Sequence, residues 1–309
     1  MPNSRQPLPN ALSDPGFDRA AHRRLDEAWL QTTRLSAEAH VVPVWRSKSL
    51  VVTKDNKRFA AAVPASSFDW TLASDTVFLG ISGGIPRFAA DVSALEAEAV
   101  ADHLGPHGTF EDMRMIGQFV PSEDAALLAY AKGILWWHER HQFCGVCGHR
   151  TQSIDGGHRR LCTNEVCKAE QFPRSDPAVI MLVVRDDKIL MGHASRFPEG
   201  MYSTLAGFVE PGESLEEAVR REVYEETGVR VGAVAYHSSQ PWPFPSSLML
   251  GFYGEGLSEA IEFRDSELAD ARWFTRAMCR APDEHGFKLP GPDSIARRLI
   301  EDWLVSDTA

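Results

Sequence analysis

The sequence predicts an α/β protein in which a mixed α/β domain follows a β-rich N-terminal domain and a small cysteine module. Three observations carry that expectation. Short β-rich runs separated by turn residues fill residues 40–93, two close cysteine pairs follow a long helical stretch, and after Pro173 a strand–turn–strand pattern leads into a glycine-containing loop and a capped helix. At 309 residues the chain exceeds one ordinary core and divides most simply into two domains plus the small module, placed at residues 1–138, 174–309 and 139–173.

Composition sets the class. Hydrophobic residues at 43% and charged residues at 24% match soluble globular proteins and argue against disorder throughout. The net charge of -11 works against a broad electrostatic footprint for nucleic acid, although a local basic groove is compatible with it. The N-terminal segment has no apolar core of signal-peptide length, and no later run is long enough to span a bilayer. The expectation is a soluble, cytoplasmic protein with no membrane partner.

Along the chain, residues 1–37 begin polar and Pro-containing, turn helical over 18–33, and carry no feature that suggests chemistry. The runs HVVPVW, SLVVT, RFAAAVP and TVFLGI read as strands, divided by turn clusters at Lys54-Asp55-Asn56 and Gly83-Gly84. Residues 122–141 read as a helix, with Ala126, Leu127, Tyr130, Ile134 and Trp137 at helical spacing. After Pro173, AVIMLVV and ILMGHA read as two strands joined by a turn at residues 185–188. No internal repeat is visible.

Cys144/Cys147 and Cys162/Cys167 form two close pairs with fourteen residues between them, the two-knuckle arrangement of a tetrahedral four-cysteine zinc ribbon. Four thiolates leave no open coordination position, so the expected Zn2+ is structural and His141, His149 and His158 are not needed as ligands. His149, Arg150, His158, Arg159 and Arg160 add local basic character, compatible with nucleic-acid contact. Cys279 stands apart and reads as a small buried residue.

Residues 207–213 form a loop with two glycines and a proline, and Ser214-x-x-Glu217 gives the capping box of a helix stopped by Gly228. Leu215, Ala218, Val219 and Val223 make its apolar stripe, while Glu222, Glu225 and Glu226 lie on an adjoining face. A solvated acidic face is one reading. Clustered like charges repel, however, and a divalent cation with a taste for hard oxygen ligands, Mg2+ or Mn2+, would compensate them.

Taken whole, the segment is Gly207, five residues, Glu213, seven residues, then Arg221-Glu222-Val223-Tyr224-Glu225-Glu226-Thr227-Gly228-Val229, and it resembles the complete Nudix box without a departure. The resemblance, covering roughly residues 175–305, implies a Nudix α/β/α sandwich around a mixed sheet and hydrolysis of a nucleoside diphosphate linked to another moiety. It implies Glu222 and Glu226 as the main ligands of the catalytic metal, Glu225 as a further ligand or the group that orients water, and the Ala206 carbonyl as a completing ligand. Arg221 is implied to orient Glu213 or a metal-binding glutamate. Glu267 sits where the family supplies one more carboxylate, with Glu262 and Asp265 as competitors.

The stretch Gln240, Pro241, Trp242, Pro243, Phe244, Pro245, Ser246 and Ser247 alternates proline with aromatics and is stiff for that reason. On composition alone it is a rigid edge loop with core aromatics. Placed shortly after the box, it resembles the motif of the NADH pyrophosphatase branch of the Nudix family, which also carries a β-rich N-terminal domain and a four-cysteine zinc ribbon. The resemblance now covers nearly the whole chain and implies a homodimeric, metal-dependent hydrolysis of NADH, and less selectively NAD+, to nicotinamide mononucleotide and AMP. It marks Phe172 and Phe208 as base-stacking positions and Ala296 as substrate-lining; Phe172 is more often tyrosine in the branch, so a hydroxyl is lost there. Arg114 is a candidate phosphate contact with no motif around it. The alternative is removal of the NAD cap from RNA 5′ ends by the same site; a non-catalytic Nudix-like sensor predicts a lost box glutamate, and none is lost.

Overall fold

The computed structural model describes residues 9–13, 16–264 and 266–306. By contact the chain forms two units. Of the described residues, those within 12–175 and 242–246 make up the N-terminal unit, and those within 9–11, 176–241 and 247–306 make up the C-terminal unit. Among the described residues no helix is long and apolar enough to cross a membrane.

The N-terminal unit starts with a 3-10 turn at Ala21–Arg23 and then helix α1 (Glu27–Arg34), not one helix over 18–33. The reason is local: Asp26 caps α1 by accepting from the Trp29 amide at 3.0 Å, so the helix begins there. A seven-stranded sheet follows, from β1 (His40–Trp45), β2 (Lys48–Lys54), β3 (Lys57–Ala60), β4 (Val63–Pro64), β5 (Asp75–Ser82) and β6 (Ile85–Asp91), with β7 (Thr109–Glu111) beyond helix α2 (Ala97–Leu104). Its order is β3-β2-β1-β6-β5, with β4 on β1, β7 on β2, and β1 and β6 parallel. The expected run RFAAAVP is split, because Ala61 still bonds to Leu50 whereas Val63 pairs with Val41.

Val41, Leu50, Phe78 and Phe88 are buried at the centre of this unit, with Trp29 edge-on to Phe78. A short helix α3 (Met113–Ile116) precedes α4 (Ser122–Arg140), the helix expected at 122–141. The cysteine module then adds a three-stranded sheet, β8 (Thr151–Ile154), β9 (Arg159–Cys162) and β10 (Glu170–Gln171), in the order β10-β9-β8.

In the C-terminal unit, β11 (Asp176–Arg185) is buried on both faces, which is why its sequence is continuously apolar rather than alternating. It pairs in parallel with β15 (Ser247–Gly256) and antiparallel with β12 (Lys188–Ala194) and β13 (Leu205–Phe208). With β14 (Val231–Trp242) and β16 (Leu268–Thr275) the sheet runs β14-β15-β11-β12-β16 and is mixed, as expected. Alternate residues of β11 serve two cores. Val179, Met181 and Val183 pack with Ala218, Val219 and Val223 of α5 (Leu215–Thr227), while Ile180 and Leu182 pack with Leu299, Ile300 and Trp303 of α7 (Ile295–Val305). That is an α/β/α sandwich. The short helix α6 (Arg276–Arg280) carries Cys279, buried in the second of these cores.

Candidate active site

The loop and helix after β13 build the site from the backbone outward. Ser214 and Glu217 form the capping box, with Ser214 Oγ accepting from the Glu217 amide at 3.3 Å and Glu217 Oε2 accepting from the Ser214 amide at 2.8 Å. Gly228 ends α5 in the left-handed conformation, φ 69°, where a side chain would be strained. Ala218, Val219 and Val223 are fully buried on the sheet, so the helix is fixed in rotation and its glutamate face is fixed with it.

Arg221 organises that face. Its guanidinium donates to both oxygens of Glu213, to Glu222 Oε1 and Glu225 Oε2 at 2.9 Å each, and to the Phe208 carbonyl at 2.9 Å. One planar cation thereby ties the loop, the end of β13 and two turns of α5 together. Hydrogen bonding from Arg221, with the Glu210 amide adding to it, pulls the Glu213 carboxyl down to about 2. Glu213 is committed to Arg221.

Glu222 experiences the opposite balance. Burial pushes its carboxyl above the ordinary glutamate range, the charges of Glu225 and Glu267 push the same way, and Arg221 only partly offsets them. Glu226, one turn further along, is 4% exposed. Gly207 explains how the Glu222 carboxylate reaches its place: a Cβ on residue 207 would lie 1.9 Å from its carboxyl carbon and 2.1 Å from each oxygen. The missing side chain is the cradle. Oxygen donors of this kind, half-buried and mutually repelling, fit a hard divalent cation; Glu222 and Glu226 could hold it, with Glu225, Glu267 and the carbonyl of Ala206 beside Gly207 on β13 as further candidates.

Among the candidates for the extra carboxylate, Glu267 acts by its charge on Glu222. Glu262 instead faces Arg264 at 3.7 Å and is largely exposed, and Asp265 lies outside the described residues. Phe208 is 60% exposed at the end of β13, and Phe172, in the other unit, is also 60% exposed.

The motif residues divide between positions. Gln240 is 0% exposed, and its amide donates to the Ala11 and Asp293 carbonyls and accepts from the Ile295 amide, all within 3.0 Å. It fastens the start of α7. Pro241 and Ser247 stay with the C-terminal unit, and Ala296 is buried in its core. Trp242, Pro243, Phe244, Pro245 and Ser246 belong to the N-terminal unit, where Arg114 lies 5.2 Å from the centre of the Phe244 ring.

The cysteine sulfurs of Cys144, Cys147, Cys162 and Cys167 lie within 4.8 Å of one another, with Cys144–Cys167 at 3.9 Å and Cys147–Cys162 at 3.4 Å. Zn–S bonds of about 2.3 Å in a tetrahedron place sulfurs about 3.8 Å apart, so these thiols stand where zinc thiolates would. The basic character expected around them shrinks to His149 and Arg150. Arg160 is buried against Asp75, Thr151 and His138, Arg159 is paired with Asp155 and Glu170, and His158, whose pKa burial lowers to about 4, donates to the Phe78 carbonyl. Burial by itself would raise the Asp75 carboxyl, but His138 and Arg160 outweigh it and hold it down.

Three residues escaped the sequence reading. Residues 1–37 carried no assigned role, yet Asn10 donates to Ser238 Oγ at 2.9 Å and to the Ser239 carbonyl at 2.8 Å. Asp75 and His138 lie far from the cysteines in sequence, and no spacing rule connects them to Arg160.

Three family models match this chain. A NUDIX domain profile matches residues 174–289, an NADH pyrophosphatase zinc ribbon domain matches residues 139–172, and an NADH pyrophosphatase-like rudimentary NUDIX domain matches residues 38–137. The last is more than the β-rich domain read from sequence. The NAD-capped RNA hydrolase NUDT12 of Homo sapiens is 44% identical, covering 98% of this chain and 75% of its own. The NAD-capped RNA hydrolase NudC of Pseudomonas aeruginosa (strain LESB58) is 43% identical over 64% of each chain, and an NAD-capped RNA hydrolase of Schizosaccharomyces pombe is 40% identical over 71% of this chain and 65% of its own.

Proposed function

The chain belongs to the Nudix hydrolase family, and from that premise we propose that it is an NAD(H) diphosphatase, hydrolysing the diphosphate linkage of NADH and NAD+ to nicotinamide mononucleotide and AMP. The observation that carries the reading is the complete, Arg221-organised glutamate face on α5 with Glu222 cradled against Gly207. Glu222 and Glu226 would hold Mg2+ or Mn2+, which would supply positive charge to neutralise the diphosphate.

The chain's own residues do the rest. Arg221 holds Glu213 and Glu225 in place; Glu225, the more exposed of its α5 partners, is the group best placed to accept a proton from an attacking water. Phe208 is largely exposed at the end of β13, where its ring suits stacking on a base, and the resemblance of the 240–247 segment supports the dinucleotide class. The four cysteines would hold a structural Zn2+. The working form is a cytoplasmic homodimer.

A second reading rests on the curated relatives, which are named as NAD-capped RNA hydrolases. The same bond would be cleaved with an RNA chain attached. Measuring kcat/KM for NADH and for an NAD-capped RNA side by side decides between them: a preference for free NADH supports the dinucleotide as substrate, and cleavage of the capped RNA alone replaces it with decapping.

A further inference from the structure

Lysine is almost never buried without a partner, and Lys132 of α4 is only 8% exposed. Its ammonium donates to the Ser47 carbonyl at 2.9 Å and stands 3.9 Å from Asp112, contacts that occupy part of its three-donor head. The ammonium also lies over the Phe244 ring, 4.8 Å from its centre. Arg114 approaches the same ring, and Trp242 packs T-shaped with it at a centroid distance of 5.0 Å. On α4 the next residue is Gly133, where an added Cβ would lie 3.7 Å from Pro243.

We infer that Lys132 is a positioning residue for the aromatic segment 242–246: its desolvated ammonium fixes the Phe244 ring and, through it, the conformation of the segment that reads the substrate. The inference rests on the proposed dinucleotide activity. Attraction between a cation and an aromatic face strengthens when water is excluded, and burial here lowers the Lys132 pKa first of all, with Asp112 opposing and Arg114 reinforcing the shift. A neutral side chain of similar length would fill the space without holding the ring. Arginine would keep the cation.

The test uses full-length, Zn2+-loaded protein with Mg2+ and compares Lys132→Met, Lys132→Arg, Phe244→Leu and the Met/Leu double variant on NADH. Lys132→Met is expected to raise KM about five- to tenfold with kcat within about twofold, Lys132→Arg to recover most of the loss, and the double variant to be no worse than Phe244→Leu alone. An unchanged KM in Lys132→Met or Phe244→Leu, or single effects that multiply in the double variant, overturns the inference. So does a fall in melting temperature with KM untouched, which is what a merely structural lysine would give. If wild type is inert on NADH, the proposed function fails by itself; the Lys132–Phe244 coupling is then read without substrate in a thermal-unfolding cycle of the same variants, where additive losses overturn it.

Discussion

Replacing Gly207 by alanine separates catalysis from stability. The new methyl would lie 1.9 Å from the Glu222 carboxyl carbon, while ordinary contact begins near 3.4 Å, so the carboxylate has to retreat by about 1.5 Å. The displaced atoms are the far end of a flexible side chain, so the fold yields at a rotamer cost of about 0.5–1.5 kcal/mol. Loss of glycine's freedom in the unfolded chain returns about 0.4–1 kcal/mol, and the melting temperature should stay within about 3 °C of wild type. Catalysis has no such relief. A misplacement of about 1 Å at a reacting centre costs on the order of 100-fold, and here the displaced group is the carboxylate assigned to the metal. Measuring kcat on NADH at saturating Mg2+ alongside a melting curve checks both halves. Activity within about threefold of wild type would refute the cradle, since Glu222 would then not need the position Gly207 opens for it.

Three further outcomes follow from the same geometry. Arg221→Lys keeps a charge but cannot reach Glu213, Glu222, Glu225 and the Phe208 carbonyl together, so kcat should fall about 10- to 100-fold; an unchanged kcat would show that the network does not position the glutamates. Asp75→Asn leaves the buried Arg160 without its carboxylate and should destabilise the protein by about 3–5 kcal/mol in urea unfolding, against less than about 1 kcal/mol if the pair is incidental. His158 has a folded pKa of about 4, below its unfolded value near 6.5, so the unfolded chain takes up the extra proton and stability is lost as pH falls from about 6.5 toward 4. The loss is on the order of 2–3 kcal/mol, and His158→Phe should flatten that slope; an identical slope in the variant assigns it to another group.

How much of this was legible depended on the range of each interaction. The box was legible because its capping residues, apolar stripe and glutamates are all set by neighbours within one loop and one helix, and helical spacing alone puts Glu222, Glu225 and Glu226 on one side. The zinc ribbon was legible for the same reason, since two tight turns bring the sulfurs together. Gly207 was visible as a motif position, but its purpose, room for the Glu222 carboxylate, is a contact between β13 and α5 that no pattern encodes. Gln240 belongs to the substrate motif, yet its amide is spent on the backbone of residues 11, 293 and 295, far apart in sequence. Lys132 drew no reading from the sequence of its helix. Only its burial against Phe244 distinguishes it.

The same distinction explains the ribbon's charge. Counting residues gives a basic patch, but Arg159, Arg160 and His158 are consumed by Asp155, Glu170, Asp75 and the Phe78 carbonyl. A composition count cannot tell a solvent-facing cation from one already paired.

The central claim is that the α5 glutamate face cleaves a dinucleotide diphosphate with a divalent metal, and the most direct test is NADH hydrolysis by wild type and Glu226→Gln, each with and without Mg2+. The account predicts nicotinamide mononucleotide and AMP from wild type only when Mg2+ is present, and a loss of at least about 100-fold in a Glu226→Gln protein with an unchanged melting curve. Cleavage that persists in that variant, or that needs no divalent cation, would contradict it.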